Sequence, residues 1–533
     1  MQHFASRQLS FAAVLALGAA LAPASFAASP APAEGENGMV VSAQHLASQV
    51  GVDVLKSGGN AVDAAVAVGY ALAVVYPSAG NLGGGGFMTI RLKDGTTTFL
   101  DFRERAPLAA TRTMYLDADG NPVPGASTDG YLAVGVPGSV AGMEAAREKY
   151  GTKAREELIA PAIRLASEGF VLEPGDVATF AGGNDMLARD EAAAKIFLDD
   201  GKPLAPGARL VQADLARSLT AISEGGADAF YKGDIARTIA RYHAENEGWM
   251  TEQDLADFSV AFEKPVSGRF GGMNVYTCDV WCQGPVLIQM LNLLKGVDLR
   301  ALGHNSPSYI HLLTEAMKLS FADREAYYGD PRFVEVPMAA LLSDEYADLR
   351  RGLIDPNKAW PEMPPAGDPR NLRAILGNSG SAAPVRAPGQ GGEPPLSPDT
   401  SYVCAVDRWG NVFSATPSDT SNDAPVIPGL GICPSSRGSQ AFTQEGHASE
   451  LMGGKRPRLT PNPALAVFDN GALMPFGTPG GDVQSQAMLQ VLLNVGVFGM
   501  DTQSAIDAPR FATYSFPDSF APHPYYPGRL TLE

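Results

Sequence analysis

The residues that most often carry enzyme chemistry form no familiar motif in this sequence of 533 residues. Its seven histidines are scattered without a His-Glu-x-x-His pattern, and none lies near Cys278 or Cys282, so a metal enzyme is disfavoured. The sequence has no Gly-x-Ser-x-Gly elbow, which weakens a Ser-His-Asp hydrolase. The run Gly453-Gly-Lys-Arg456 lacks the Ser or Thr that completes a phosphate-binding loop. Cys278 and Cys282 are close enough in sequence for a disulfide in an oxidising compartment, a pairing that the sequence leaves open.

A proline-rich segment that ends at a hydroxyl residue is the feature that a function must explain. Residues 354–399 contain ten prolines and little apolar periodicity, which predicts a long flexible segment. Such a segment is uncommon inside a compact chain without a reason. Directly after it, residues 401–406 and 412–416 flank a turn at 407–411 and predict a hairpin of buried strands.

The elements that must position this hairpin are mostly helices before it and strands after it. Apolar spacing predicts two helices in residues 43–76, broken at Gly58-Gly59-Asn60. Four consecutive glycines, Gly83 to Gly86, indicate either a flexible turn or a backbone that closely approaches another group. Further helices are predicted at 140–150, 154–168, 212–224, 234–245, 286–294, 308–328 and 484–495. Further strands are predicted at 87–92, 97–102, 266–277, 463–468 and 472–476.

Composition and the N-terminus indicate an exported protein. Forty basic against 58 acidic residues give a net charge of −18, which argues against nucleic acid or an anionic membrane as a partner. Arg7 precedes an apolar run at residues 11–21 that is too short to span a bilayer, and small residues follow. This pattern predicts a secretory signal peptide over residues 1–27 and a disordered lead-in over 28–38. We therefore expect a periplasmic or secreted protein.

Seven short motifs, in this order, resemble the gamma-glutamyltransferase (glutathione hydrolase) family of N-terminal nucleophile hydrolases. The resemblance runs from about Gly38 to the end of the sequence. The motifs are Gly-Gly-Asn-Ala-Val-Asp-Ala-Ala (58–65), Gly-Gly-Gly-Gly-Phe-Met (83–88), Asp-Phe-Arg-Glu-Arg-Ala-Pro (101–107), Asp-Thr-Ser-Tyr-Val (399–403), Gly-Lys-Arg-Pro (454–457), Gly-Thr-Pro-Gly-Gly (477–481) and Asp-Ala-Pro-Arg-Phe (507–511). The resemblance implies a four-layer αββα sandwich, in which two packed sheets are covered by helices on both outer sides.

The resemblance also implies a precursor that cuts itself between Asp399 and Thr400. The products would be a large chain, residues 39–399 with its proline-rich tail, and a small chain, residues 400–533, which together form one catalytic heterodimer. Cutting places the new α-amino group beside the Thr400 hydroxyl, where it can accept the hydroxyl proton, since its reference pKa is about 7.7–8. One residue would then supply both nucleophile and base, without a metal or a cofactor.

Other site residues carry over from the family's motifs. Gly480 and Gly481 match paired backbone donors for the oxyanion, and Ser418 matches a hydroxyl residue that supports the nucleophile. Arg103 matches the arginine that grips the substrate α-carboxylate, with an ion pair to Glu104 or Asp101 as the alternative role. Thr460 matches one of two hydroxyl positions that help to hold that carboxylate.

Departures from the family pattern fall in the acyl pocket. Thr420 stands where glutamyl-specific members have Asn, and Ser439-Gln440 stand where they have the Asp-Asp pair that holds the α-ammonium group. Leu459 replaces the first carboxylate-binding serine, and Asp482 replaces the serine after the paired glycines. Arg437 adds positive charge to the same stretch, and a neutral Gln offsets an ammonium charge poorly.

These residues predict an amidohydrolase or acyltransferase that acts on a small-molecule amide with water or an amine as acceptor. Its acyl group is γ-glutamyl or a related group that carries an acid. The alternatives are a glutaryl-, oxamate- or cephalosporin-type acylase without γ-glutamyl activity, and a secreted binding protein of the same fold without catalysis. Family members continue for several tens of residues past the position of Glu533. This sequence is therefore expected to be a piece of a longer protein or to lack edge strands. A dimer of the cleaved heterodimers is left open.

Overall fold

The alanine-rich stretch forms two helices with the predicted break between them. The computed structural model describes residues 29–181, 184–376, 400–418 and 425–533. Helix α1 is His45–Lys56 and helix α2 is Ala61–Val75. Asn60 sets the break, because its side chain accepts the first free N–H groups of α2 while Asp63 accepts the N–H of Asn60, a capping box. All residues of α2 except Gly69 are buried, so this helix lies inside the molecule.

The other helices follow the predicted spacing closely. In chain order they are α3 Ser139–Tyr150, α4 Arg155–Glu168, α5 Pro174–Ala181, α6 Asn184–Arg189, α7 Glu191–Phe197, α8 Ala213–Tyr231, α9 Asp234–Glu245, α10 Glu252–Ala256, α11 Gly284–Leu294, α12 Leu299–Leu302, α13 Pro307–Tyr327, α14 Met338–Leu341, α15 Asp344–Arg351, α16 Gln484–Gly496 and α17 Thr502–Asp507. Each predicted helix is present. The ones that were not predicted have eight residues or fewer, too few turns for a helical period to stand out.

Among the described residues, ten strands form two large antiparallel sheets, and the other six form three two-stranded sheets. In chain order the strands are β1 Gly38–Val41, β2 Gly85–Arg91, β3 Thr97–Asp101, β4 Phe170–Val171, β5 Leu198–Asp199, β6 Lys202–Pro203, β7 Arg209–Leu210, β8 Ala261–Glu263, β9 Val266–Phe270, β10 Met273–Thr277, β11 Val403–Asp407, β12 Val412–Ser418, β13 Ala464–Phe468, β14 Leu473–Phe476, β15 Phe511–Thr513 and β16 Leu530–Leu532. One sheet has the order β1-β11-β12-β2-β3-β8 and the other β14-β13-β10-β9. The three predicted hairpins, β2–β3, β11–β12 and β13–β14, all form.

The layers stack as helix, sheet, sheet, helix. Helix α2 packs on β11 and β12 of the six-stranded sheet, and the opposite face of that sheet meets β13 and β14. Helix α11 covers β9 and β10 and packs on α13 and α16. The predicted four-layer sandwich is confirmed. Strand β12 lies in the middle of the six-stranded sheet and β11 lies beside it. Thr400 and Ser401, just before β11, are therefore buried inside the molecule.

Residues 354–376, the described part of the segment predicted to be flexible, are held against α13 and α15. The buried carboxylate of Asp323 accepts the N–H of Gly367 at 2.9 Å. The buried guanidinium of Arg350 donates to the carbonyl of Pro365 at 2.8 Å and pairs with Asp323 at 3.2 Å. The proline content therefore predicted the lack of regular structure but not this anchoring.

Cys278 and Cys282 form a disulfide, which settles the pairing that the sequence left open. Cys404 and Cys433 are not part of a disulfide. Within the described ranges, no helix combines the length and the apolar character that a membrane crossing requires.

His243 on α9 should make the stability of the fold depend on pH. The side chain is fully buried edge-on to the ring of Tyr131, and burial lowers the pKa of His243 from 6.5 to about 4, with Asp254 opposing that effect. The unfolded chain therefore takes up the proton first, so stability present above pH 6.5 falls as the pH drops towards 4. The loss is about 3 kcal/mol at most. Urea unfolding between pH 7 and 4 should show a larger loss of stability in the wild type than in His243→Phe; parallel curves would contradict this role of His243.

Candidate active site

Thr400 lies buried at the point where the chain enters the six-stranded sheet. It pairs with Ser418 across the open end of the β11–β12 hairpin, and only 2% of the residue is exposed. The Oγ1 atom of Thr400 lies 3.2 Å from the Oγ atom of Ser418. The structure therefore brings together the predicted nucleophile and the predicted supporting hydroxyl. Asp399 and Thr420, the other two predicted residues next to this position, lie outside the described residues.

The glycine run allows close packing next to this hairpin. None of Gly83 to Gly86 has a positive φ. A Cβ atom at Gly83 would overlap the carbonyl of Cys433, and one at Gly85 would overlap the carboxylate of Glu104. Close approach, rather than turn flexibility, explains the run, because strand β2 must leave room for a buried acid.

That acid, Glu104, lies between two buried arginines. Its Oε2 pairs with Nε of Arg103 at 3.1 Å, and its Oε1 lies 3.4 Å from Nε of Arg437. Oε1 also accepts the Ser435 hydroxyl at 2.8 Å. The ion pair that the sequence gave as the alternative role of Arg103 is thus present. Among the described residues, Glu104 is therefore shared by two guanidinium groups.

Arg437 connects the cluster to the predicted nucleophile. Its Nη2 donates to Ser418 Oγ at 2.8 Å, and its Nη1 donates to Oε1 of Gln440 at 2.9 Å. Because Arg437 donates to the Ser418 oxygen, the Ser418 hydroxyl can in turn donate to Thr400 Oγ1 and stabilise negative charge there. The sequence marked Arg437 only as added charge. Arg437 and Ser418 are 19 residues apart in the sequence, and no local pattern predicted their contact.

Gln440 leaves a donor group without a partner in the pocket. The side chain is fully buried, and Arg437 occupies its carbonyl oxygen. Among the residues that the structure describes, its Nε2 group meets no acceptor. A buried donor of this kind costs free energy unless a ligand satisfies it. Gln440 is therefore suited to contact a substrate oxygen.

Thr460 and Leu459 form a different part of the wall. Thr460 is buried, and its Oγ1 accepts the Gln484 side chain at 3.3 Å, which ties it to the first residue of α16. Leu459 packs with Phe87, Phe99 and Trp281. The position that holds a hydroxyl in the family is here part of an apolar cluster.

Gly480 and Gly481 form the turn that leads into α16. Their φ values are 121° and 55°, which favour glycine, and a short 3-10 turn follows at Gly481–Val483. Neither N–H group donates to an acceptor in the described part of the chain. Tyr402, two residues after Thr400, packs on Gly477 just before this turn. Free N–H groups ahead of a helix favour a negative charge.

Comparison with known proteins agrees with this geometry. The sequence matches the family model described as gamma-glutamyltranspeptidase over residues 47–529. It is 46% identical over 510 residues to a glutathione hydrolase proenzyme of Pseudomonas sp. (strain A14), covering 92% of this chain and 84% of that protein. It is 35% identical over 499 residues to an acylase ACY 1 proenzyme of Pseudomonas sp. (strain SE83), covering 92% and 85%. The cephalosporin acylase structure from Bacillus halodurans matches with a TM-score of 0.78 and 28% identity, over 91% of this chain and 86% of that one.

The four-layer fold is that of an N-terminal nucleophile hydrolase. Within this class, the chain belongs to the gamma-glutamyltranspeptidase family. The predicted family is confirmed, and with it an enzyme of the amidohydrolase or acyltransferase type that is made as a proenzyme.

Proposed function

We propose that this chain cuts itself before Thr400 and then hydrolyses amides whose acyl group carries a carboxylate, without requiring an α-amino group. Glutaryl-type amides are the substrates that fit best, and γ-glutamyl amides are the second candidate. The observation that carries the proposal is the buried contact of Arg437 with Glu104, Gln440 and Ser418, at a place where glutamyl-specific relatives carry acids.

The two guanidinium groups of the described part of this pocket, those of Arg103 and Arg437, support binding of an anion rather than an ammonium group. Glu104 is already shared by Arg103 and Arg437, and the free group of Gln440 is a donor. An α-ammonium group brought to about 5 Å from a guanidinium would be repelled by about 3 kcal/mol at an effective dielectric constant near 20. A carboxylate would instead be attracted and could accept from Gln440.

The reaction follows from the groups around Thr400. After cleavage of the 399–400 bond, the α-amino group of Thr400 takes the hydroxyl proton, and Oγ1 bonds to the amide carbonyl carbon. The N–H groups of Gly480 and Gly481 stabilise the oxyanion, and Ser418 donates to Oγ1. The amine leaves with the proton, and water or an amine then attacks the threonyl ester and releases the acyl group.

A small pocket lies beside Arg437. Its volume is about 20 Å³, and its walls combine Arg437, Lys455 and Glu450 with apolar side chains such as Leu451 and Met452. A pocket of this volume has room for a water molecule next to Arg437.

Substrate selectivity tests the proposal. The purified, cut enzyme should hydrolyse glutaryl p-nitroanilide with a kcat/KM at least about tenfold above that for γ-glutamyl p-nitroanilide, since about 1.4 kcal/mol of the repulsion is enough for this ratio. Glutathione should be hydrolysed poorly. Efficient glutathione hydrolysis, or a preference for the γ-glutamyl anilide, would overturn the proposal, and γ-glutamyl amides would then be the favoured substrates.

We also propose that residues 1–27 direct export to the periplasm or the medium. The apolar run after Arg7 supports export. Intact mass and N-terminal sequencing of the exported protein should find two chains, with the smaller beginning Thr-Ser-Tyr-Val. A first chain that still begins at Met1 would contradict export.

A further inference from the structure

Asp482 directly follows the predicted oxyanion glycines and is buried in an ion pair. Its Oδ1 lies 2.5 Å from Nη1 of Arg324, which is fully buried on α13. The side chain of Gln283 donates to the same oxygen. The acid therefore ties the turn at 480–482 to the helical layer behind the four-stranded sheet.

The same carboxylate also binds a segment near the C-terminal end of the sequence. The Ser519 N–H donates to Oδ2 of Asp482 at 2.7 Å, and the Ser519 hydroxyl donates to Oδ1 at 2.8 Å. The ring of the next residue, Phe520, packs over Gly481. Both carboxylate oxygens are thus used, and their partners surround the turn.

From Ser519 the chain leads back to the acyl pocket. The N–H of Ala521 donates to the carbonyl of Ser439 at 2.7 Å, one residue before Gln440. A short path of hydrogen bonds therefore joins the oxyanion turn to the segment that carries Arg437 and Gln440. Contact between the two parts of the site does not depend on the sheet alone.

The negative charge of Asp482 compensates the positive charge of a buried arginine. Arg324 and Arg458 are both fully buried, and Glu325 pairs with Arg458 at 2.9 Å and with Arg324 at 3.5 Å. Asp482 supplies the second negative charge of this group of four. Loss of that charge would leave one buried guanidinium without compensation, and the turn would shift to relieve it.

We propose that Asp482 is a positioning residue that holds the N–H groups of Gly480 and Gly481 in line with the acyl pocket. This rests on the proposed function in one respect, that those two groups stabilise the oxyanion. It does not depend on which acyl group is the substrate. A displacement of about 1 Å can cost on the order of 100-fold in rate, so a shifted turn should lower kcat and leave binding nearly intact.

The test compares Asp482→Asn with Ser519→Ala, and with Asp469→Asn as the control. Asp469 pairs with Arg269 on the exposed surface, so the control removes the same charge from the exposed β13–β14 turn and not from a buried ion pair. Kinetics use whichever anilide, glutaryl or γ-glutamyl, the wild type cleaves. Hydrogen exchange is followed on peptides that cover residues 477–486.

Asp482→Asn should lower kcat about 30- to 100-fold with KM within about twofold, and should speed exchange at 480–484. Ser519→Ala, which removes one hydroxyl only, should lower kcat about threefold to tenfold and decides the matter if Asp482→Asn does not fold. A raised KM with unchanged kcat, or unchanged exchange and rate in both variants, would overturn the proposal. If the wild type cleaves neither anilide, the proposed function fails, while exchange at the turn still decides the role of Asp482.

Discussion

Replacing Thr400 by alanine should leave one uncut chain and lower amide hydrolysis at least about 10⁴-fold. The hydroxyl is the predicted nucleophile for both self-cleavage and substrate, and Ser418, the hydroxyl next to it, is held by Arg437 and is not at a chain terminus. Ser418 therefore cannot take over both roles. Thr400→Ser keeps a hydroxyl at the same place and should be cut, although more slowly.

Mass spectrometry of the purified variants, followed by single-turnover kinetics, makes this measurement. Ser401→Ala is the matched control, because it removes the adjacent hydroxyl, which donates to the carbonyl of Ala79 on the other side of the strand. This control should be cut normally. If Thr400→Ala were still cut before residue 400, or if the wild type stayed uncut, Thr400 would not be the nucleophile. The alternative hypothesis, a binding protein of the same fold without catalysis, would then be favoured.

Replacing Arg437 by glutamine should have the second largest effect. Removal of one partner of a buried ion pair leaves the other charge uncompensated and commonly costs about 3–5 kcal/mol. Here Glu104 would keep Arg103, but Ser418 and Gln440 would lose the hydrogen bonds that Arg437 donates. We expect hydrolysis of the glutaryl anilide to fall about 100-fold. The γ-glutamyl anilide should lose less, because the repulsion of its ammonium group is removed as well.

The ratio of the two kcat/KM values is the measurement that separates this role from general damage. It should fall towards one in Arg437→Gln, and Arg437→Lys, which keeps the charge but not the planar fork, should keep the preference for glutaryl at a lower rate. Arg408→Gln, on the exposed turn of the β11–β12 hairpin, is the control and should change neither substrate. Equal losses on both substrates would mean that Arg437 supports the fold without selecting the acyl group.

Local patterns in the sequence were enough for most of the helices and strands. The break before α2 follows from a capping box between Asn60 and Asp63, which are three residues apart. The hairpin that begins after Thr400 follows from alternation and a Gly-containing turn. The order of seven motifs was enough to predict the family and, because members of the family share a fold, the four-layer sandwich. These features depend on residues that are close together in the chain or on the order of motifs along it, so a single sequence is sufficient to predict them.

The charge arrangement of the site was decided only by the tertiary structure. Glu104 and Arg437 are 333 residues apart, and Arg324 is 158 residues from Asp482, so no periodicity relates them. The anchoring of residues 354–376 was missed for the same reason, since their prolines describe the local backbone and the acceptors lie on distant helices. A buried charge is stable only beside its partner, and which groups become partners depends on how the layers pack. The sequence by itself therefore determined the elements, the family and the predicted nucleophile, whereas packing decided which charges surround that nucleophile.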